Sequence, residues 1–325
     1  MEELRVPRLN LAELGISNIG HDPAVGAGIG ALEERDPIFS AVKAAFLDGY
    51  AGVILRGPPG TSKSWYAKEI AQLIAGGNDE VMRFIQFHPS YQYEDFMEGW
   101  VPNESGGFEP QTKVFLNLCA AAEADPSKTY VLVIDELSRA DAARVFGEAL
   151  TYLETSKRGM EFQLSSGRDA VVPHNLVIIA TMNPWDRGVD EIDVALLRRF
   201  AQIELEPNVE LARQFLVENS VDDAIVAAVE KFFIALQKQT NPMLHIGHAY
   251  FRNVRSEGSL LRLWRFQLWP HFQMACRLEP DELRKIAGMW KQMVLDATTQ
   301  DVTQEVDPVP SAPLRENGSP APSNT

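Results

Sequence analysis

The chain has 325 residues, 45% of them hydrophobic and 23% charged, an ordinary globular composition with room for one large or two medium domains. Thirty basic against 45 acidic residues leave a formal net charge of −15, which argues against coating nucleic acid by charge alone. No run of about 18 apolar residues occurs, and residues 1–8 carry acids without an apolar stretch behind them, so neither membrane span nor secretory signal is read and a cytoplasmic chain is expected.

Residues 1–35 mix short apolar stretches with the glycines of Gly20-His-Asp-Pro-Ala-Val-Gly-Ala-Gly-Ile-Gly30 and show no sustained period, so they read as a loosely folded lead-in. Beyond Pro37, the residues Ile38, Val42, Ala45 and Phe46 recur at helical spacing, and an apolar run at 52–55 then ends at Gly57-Pro-Pro-Gly60. Four further apolar runs, at 83–87, 130–134, 176–180 and 201–205, look like buried strands separated by helical patterns. Such alternation predicts an α/β domain over 36–206, with a mainly parallel sheet covered on both faces and ligands at the carboxyl ends of its strands. After Pro207 the strand signals stop, and 210–218, 222–239, 260–277 and 280–297 read as amphipathic helices of a smaller, all-helical domain over 207–297. Trp264, Trp269 and Trp290 read as its core. Residues 298–325 turn to Thr, Gln, Ser, Asn and Pro, which bury too little to offset ordering entropy and predict a disordered tail. Cys119 and Cys276 lack the spacing of a disulfide framework or a zinc site and read as buried thiols.

Chemistry concentrates at the ends of the predicted strands. Gly57-Pro-Pro-Gly-Thr-Ser-Lys63-Ser64 lies between a strand and a helix, the context in which a glycine-rich loop turns its N–H groups onto phosphate oxygens. Gly57, Pro58, Pro59, Gly60, Thr61 and Ser62 would form that cradle, Lys63 would neutralise the β- and γ-phosphates, and Ser64 would join the Mg²⁺ shell. Ser62 stands where the consensus has glycine. The run 131–134 ends in Asp135 and Glu136, read as a Mg²⁺-shell acid and a base for the attacking water; helix-capping acids are the plainer alternative. Asn183 follows the run 176–180 and is placed to bond the γ-phosphate or the lytic water, although an Asn after a strand also suits a turn. Arg198 and Arg199 near a helix end suit either its dipole or an arginine finger completing a site on the next subunit.

These residues resemble the AAA+ ATPases, in particular the McrB-like branch related to the dynein and MoxR modules, over about residues 36–296. The more specific motifs are Phe87-His-Pro-Ser-Tyr-Gln-Tyr-Glu-Asp-Phe96, Ile134-Asp-Glu-Leu-Ser-Arg-Ala-Asp141, Met182-Asn-Pro-Trp-Asp-Arg187 and Ile246-Gly-His-Ala-Tyr-Phe251. The resemblance implies a P-loop core with a five-stranded parallel sheet, a helical lid, a ring that is usually hexameric, and nucleotide sites between subunits. It further implies that Asp186 and Arg187 assist hydrolysis and partner coupling, that Asn183 is sensor 1, and that Arg198 and Arg199 act in trans. His248 occupies the usual place of the sensor-2 arginine, with Arg252 a nearby substitute.

ATP is expected on family frequency, with GTP possible. The leading expectation is a ring ATPase that remodels or translocates through a partner protein. One alternative is a DNA-translocating subunit of a McrBC-like restriction or phage-defence system with a McrC-type nuclease; about 35 residues before the module are too few for a DNA-reading domain. Another is a MoxR-type chaperone for metalloenzyme maturation, working with a von Willebrand A-domain protein. Arg252, Arg255, Arg262 and Arg265 suit either DNA contact or a mixed-charge surface. His88, Tyr91 and Tyr93 suit either loop packing or substrate contact.

Overall fold

The five apolar runs pair as one parallel sheet. In the computed structural model, which describes residues 32–185 and 193–295, the strands are β1 (Gly52–Arg56), β2 (Met82–Gln86), β3 (Tyr130–Asp135), β4 (Leu176–Met182) and β5 (Phe200–Glu204). Their order across the sheet is β2-β3-β4-β1-β5, with every pairing parallel. Successive side chains on a strand point to opposite faces. Val53, Leu55, Val131, Val133 and Ile179 therefore pack on the face covered by α1 (Pro37–Leu47) and α2 (Lys63–Ile74). Ile54, Leu132, Ile134, Ile178 and Ala180 pack on the other, with α3 (Val114–Ala124). Asp36 starts α1 by accepting hydrogen bonds from the N–H groups of Ile38 and Phe39, with Pro37 in the first turn, where its missing N–H costs nothing.

The central strands are buried as expected, but β2 is not. As an edge strand it has one neighbour, and Arg83, Phe84 and Gln86 face solvent. Two antiparallel hairpins were not foreseen: Glu98–Pro102 pairs with Phe108–Thr112, and Glu161–Gln163 with Asp169–Val171. A single buried carboxylate joins them. Glu98, 4% exposed, accepts hydrogen bonds from the Ser166 N–H (3.0 Å), Ser166 Oγ (2.8 Å), Ser165 Oγ (3.3 Å) and Arg168 Nη2 (2.7 Å). Burial alone would raise the Glu98 pKa, but the bonds from Arg168 and Ser166 outweigh it and hold the carboxyl below its ordinary value.

A buried arginine pins the opposite, amino-terminal ends of the strands. Among the described residues Arg158 donates to main-chain oxygens alone: Leu153 (3.0 Å), Pro173 (3.4 Å), Ala51 (2.8 Å) and Leu176. Its desolvation lowers the guanidinium pKa to about 10.

From α4 (Val209–Glu218) and α5 (Asp223–Gln237) onward the chain is helical and buries a core of its own. Phe232, Phe272 and Trp290 fill it, and Trp264 stacks on Trp290 with ring centroids 4.3 Å apart. Trp269, half-buried, packs against Trp264. The single helix expected over 260–277 is instead Glu257–Leu263, a π-helical turn Trp264–Leu268, and Trp269–Ala275. Pro270, at the start of the last piece, offers no N–H to the preceding turn, which widens to accommodate it. Both cysteines are free and buried, one in each domain's core. No helix among the described residues is long and apolar enough to cross a membrane. The expected tail and most of the expected lead-in lie outside the described residues.

Candidate nucleotide site and its lid

Register places the predicted groups at one end of the sheet. Met182 aligns with Arg56 and Ala180 with Ile134, so Gly57, Asp135 with Glu136, and Asn183 leave the carboxyl ends of three adjacent strands, β1, β3 and β4. Gly57, Pro58, Pro59, Gly60, Thr61 and Ser62 form the loop that enters α2, of which Lys63 and Ser64 are the first two residues. Lys63 Nζ folds back over the loop and donates to the carbonyls of Gly57 (3.0 Å) and Pro58 (2.8 Å). Thr61, buried, donates from Oγ1 to the Pro58 carbonyl at 3.0 Å and closes the turn. The result is a cationic loop at the positive end of a 12-residue helix, an arrangement suited to polyphosphate.

The acidic pair is brought to the same place by a local bend. Glu136 has φ 57° and ψ 46°, a left-handed conformation that is uncommon for a residue with a side chain and breaks the strict alternation of β3. Ser64 Oγ donates to Asp135 Oδ1 at 2.7 Å. Thr181 Oγ1 donates to the same oxygen at 2.5 Å and accepts from the Glu136 N–H at 3.1 Å, so one hydroxyl orients both acids. Thr181 escaped the sequence reading; its signal was a polar residue in an otherwise apolar strand. Glu136 Oε2 lies 3.6 Å from Arg139 Nε. Asn183 is buried, and its Oδ1 accepts from the Trp185 N–H at 3.2 Å. The Ser64 hydroxyl and the Asp135 carboxylate are adjacent hard oxygen donors, a set that fits Mg²⁺ sharing its shell with phosphate and water. No group of three or more His, Cys, Asp or Glu among the described residues forms an all-protein metal cage.

The lid rests directly on the phosphate loop. The Gly247 N–H donates to the Pro59 carbonyl (2.8 Å) and the Ala249 N–H to the Gly60 carbonyl (2.9 Å). Approach this close requires glycine on both sides: a Cβ on Gly247 would lie 1.9 Å from the Gly60 carbonyl carbon, and one on Gly60, whose φ is +80°, would lie 2.7 Å from Tyr250. Between the two amides His248 is 2% exposed, with Nε2 3.0 Å from Ser62 Oγ and Nδ1 3.4 Å from the Asn208 amide nitrogen. Burial pushes its pKa down to about 4, leaving the ring neutral at pH 7. The place where the resemblance leads one to expect a sensor-2 arginine thus holds an uncharged side chain. Arg252 follows this turn, with Nη2 buried and lacking a hydrogen-bond partner among the described residues.

Arg198 and Arg199 lie at the other end of the sheet. The Ala51 N–H bonds to the Arg199 carbonyl and Gly52 pairs with Phe200, whereas the phosphate loop begins after Arg56. The two arginines differ. Arg199 Nη1 donates to the Ala195 carbonyl (2.6 Å) and Nη2 lies 3.6 Å from Glu154 Oε2, with the side chain 15% exposed. Arg198 is exposed. Asp186 and Arg187 lie outside the described residues. Tyr91 stacks on Phe87 and Tyr93 packs against Gly147, which favours packing for that aromatic loop. Arg255, Arg262 and Arg265 are exposed on the lid.

Comparison with known proteins agrees with this geometry. Residues 52–200 match the AAA domain of the dynein-related subfamily. The EcoKMcrB subunit of a type IV methyl-directed restriction enzyme from Escherichia coli (strain K12) is 34% identical over 215 residues, covering 61% of this chain and 47% of that protein. YdiS, a component of the type II restriction enzyme BsuMI from Bacillus subtilis (strain 168), is 29% identical over 195 residues, covering 47% of this chain and 57% of that protein. The chain spans about half the length of each of these relatives.

Proposed function

Residues 52–200 are an AAA domain of the dynein-related subfamily in its McrB-like form, and from that premise we propose that the chain is the ATP-hydrolysing motor subunit of a restriction or phage-defence system. The observation that carries the chemistry is the junction of Ser64, Asp135 and Thr181, which ties the phosphate loop to the acid-ended strand. In the proposed reaction the cradle and Lys63 hold the triphosphate, Asn183 orients the lytic water, and Glu136 accepts its proton as the water oxygen bonds to the γ-phosphorus and the bond to the β–γ bridging oxygen breaks. Ser64 and Asp135 would hold Mg²⁺, which when bound offsets charge on the β- and γ-phosphates. Arg198 would reach the site of a neighbouring copy in a hexameric ring.

Both relatives are parts of restriction enzymes, which favours DNA translocation with a nuclease partner over chaperoning with a von Willebrand A-domain partner. A cytoplasmic location follows from that role. DNA contact would come through the ring or the partner, and the exposed lid arginines are available to it.

The test is hydrolysis of ATP and of GTP, with and without DNA and the products of neighbouring genes. Lys63→Ala should abolish nucleotide binding, because it removes the loop's own cation. Glu136→Gln should bind nucleotide normally and not turn it over. Unchanged affinity in the first variant would overturn the site assignment, and equal loss of binding in the second would make Glu136 structural.

A further inference from the structure

Two departures from the expected motifs, serine for glycine at position 62 and histidine for arginine at position 248, are 3.0 Å apart. They lie 186 positions apart in the sequence, so nothing but the fold brings them together. Ser62 is left-handed, with φ 62° and ψ 25°, a conformation that costs a residue with a Cβ about 1–2 kcal/mol and that glycine adopts freely. Its contact with His248 gives the serine a reason to be there.

The hydrogen-bond directions follow from the partners. The main-chain N–H of Asn208 can only donate, so His248 Nδ1 is its acceptor. The ring proton of the neutral histidine is then on Nε2, which donates to Ser62 Oγ. Asn208 is the N-cap of α4, the first lid helix, so this one ring links the loop, the start of the lid and the lid turn.

The flanking amides act on the cradle itself. A trans peptide unit points its carbonyl and its N–H in opposite directions. Gly247 binds the carbonyl of the Pro59–Gly60 peptide and Ala249 that of the Gly60–Thr61 peptide, so the N–H groups of Gly60 and Thr61 are turned away from the lid. A phosphate chain held by those N–H groups would lie on that side.

Given the ATPase reading above, we infer that His248 is a positioning residue, which, with the amides of Gly247 and Ala249, seats the lid on the loop through Ser62 and pre-sets the phosphate-binding N–H groups. Nucleotide affinity thereby depends on lid docking, and the coupling runs through hydrogen bonds, where a sensor arginine would supply charge. Ser62→Gly, which restores the common motif, weakens the tether.

The two ring nitrogens can be tested separately in the full chain. The Gln side-chain amide reproduces the Nε2 donor and the Asn side-chain oxygen reproduces the Nδ1 acceptor. Titration with Mg-ATP and Mg-ADP should show about a tenfold loss of affinity for His248→Asn and for Ser62→Ala, a difference of about 1.4 kcal/mol. His248→Gln should recover most of that loss, and Ser62→Ala combined with His248→Asn should be no worse than either alone. KM should rise while kcat at saturation changes little. A histidine that merely fills space would lower thermal stability equally in both His248 variants and leave the affinity of the folded protein alone. Equal affinity losses in Asn and Gln variants, additive losses in the double variant, or wild-type affinity throughout would overturn the inference while leaving the ATPase reading intact. Failure of the wild type to bind either nucleotide would overturn both.

Discussion

Arg198→Ala should cost about 10³-fold or more in turnover while leaving nucleotide binding intact, if its guanidinium completes a neighbour's site. Ala51, level with Arg199, is six residues before Gly57, and at about 3.3 Å per strand residue Arg198 is roughly 20 Å from its own phosphate loop. That distance exceeds the reach of an arginine and is more than twice the screening length of about 8 Å at physiological salt. With the fold intact, an effect on turnover would therefore be exerted outside Arg198's own subunit. Arg199 is the internal control. It is held by the Ala195 carbonyl and Glu154, so Arg199→Ala should chiefly lower stability, by about 1 kcal/mol. The assay mixes Lys63→Ala with Arg198→Ala, each inactive alone. Random co-assembly pairs an intact loop with an intact arginine at roughly one interface in four, and activity should return to about that fraction of wild type. No recovery, with mixed assemblies demonstrated by native mass spectrometry, would refute the role in trans.

Three further outcomes follow from the geometry. The folded state holds His248 neutral down to about pH 4, whereas an exposed histidine protonates near 6.5, so the unfolded chain binds the extra proton between those values. The contribution to stability is complete above pH 6.5 and falls by about 3 kcal/mol as pH drops to 4, a loss that His248→Gln should not show in urea unfolding; parallel pH profiles would contradict it. Gly247→Ala should prevent lid docking, because its Cβ would overlap the Gly60 carbonyl carbon at 1.9 Å; wild-type nucleotide affinity in that variant would contradict the observed contact. Glu98→Gln should cost about 2 kcal/mol in urea unfolding, and the difference should persist at 1 M salt because the carboxylate is buried; its disappearance in salt would mark a surface pair.

The sheet was legible because strands buried on both faces are continuous apolar runs, and 130–134 and 176–180 gave themselves away in that manner. The meeting of the glycine-rich loop and the acidic pair at one end of the sheet was legible because each directly follows an apolar run, and strands in a parallel sheet end on the same side. The hairpins were not, since Glu98–Pro102 and Phe108–Thr112 contain Gly and Pro and expose Trp100 and Phe108, leaving no apolar run to read. Thr181, and the pairing of Ser62 with His248, were hidden for a different reason. Each is an ordinary residue until the fold supplies its partner, and both departures from the motifs had been visible singly without any sign that they compensate each other.

The parallel sheet gives the subunit a direction. One half of the proposed site lies at its carboxyl edge and the exposed Arg198 at the edge where the strands begin, so in the proposed ring each contact joins unlike surfaces of two neighbouring copies, head to tail. A two-fold dimer would have to complete both sites reciprocally, with its two sheets side by side and antiparallel, and would then stop at two copies. A head-to-tail contact instead leaves a free end after each addition, and growth stops only when the turn between neighbours brings the last copy back to the first. The angle at that contact, rather than its strength, then decides between a closed circle with no incomplete site and an open filament with one at its tip.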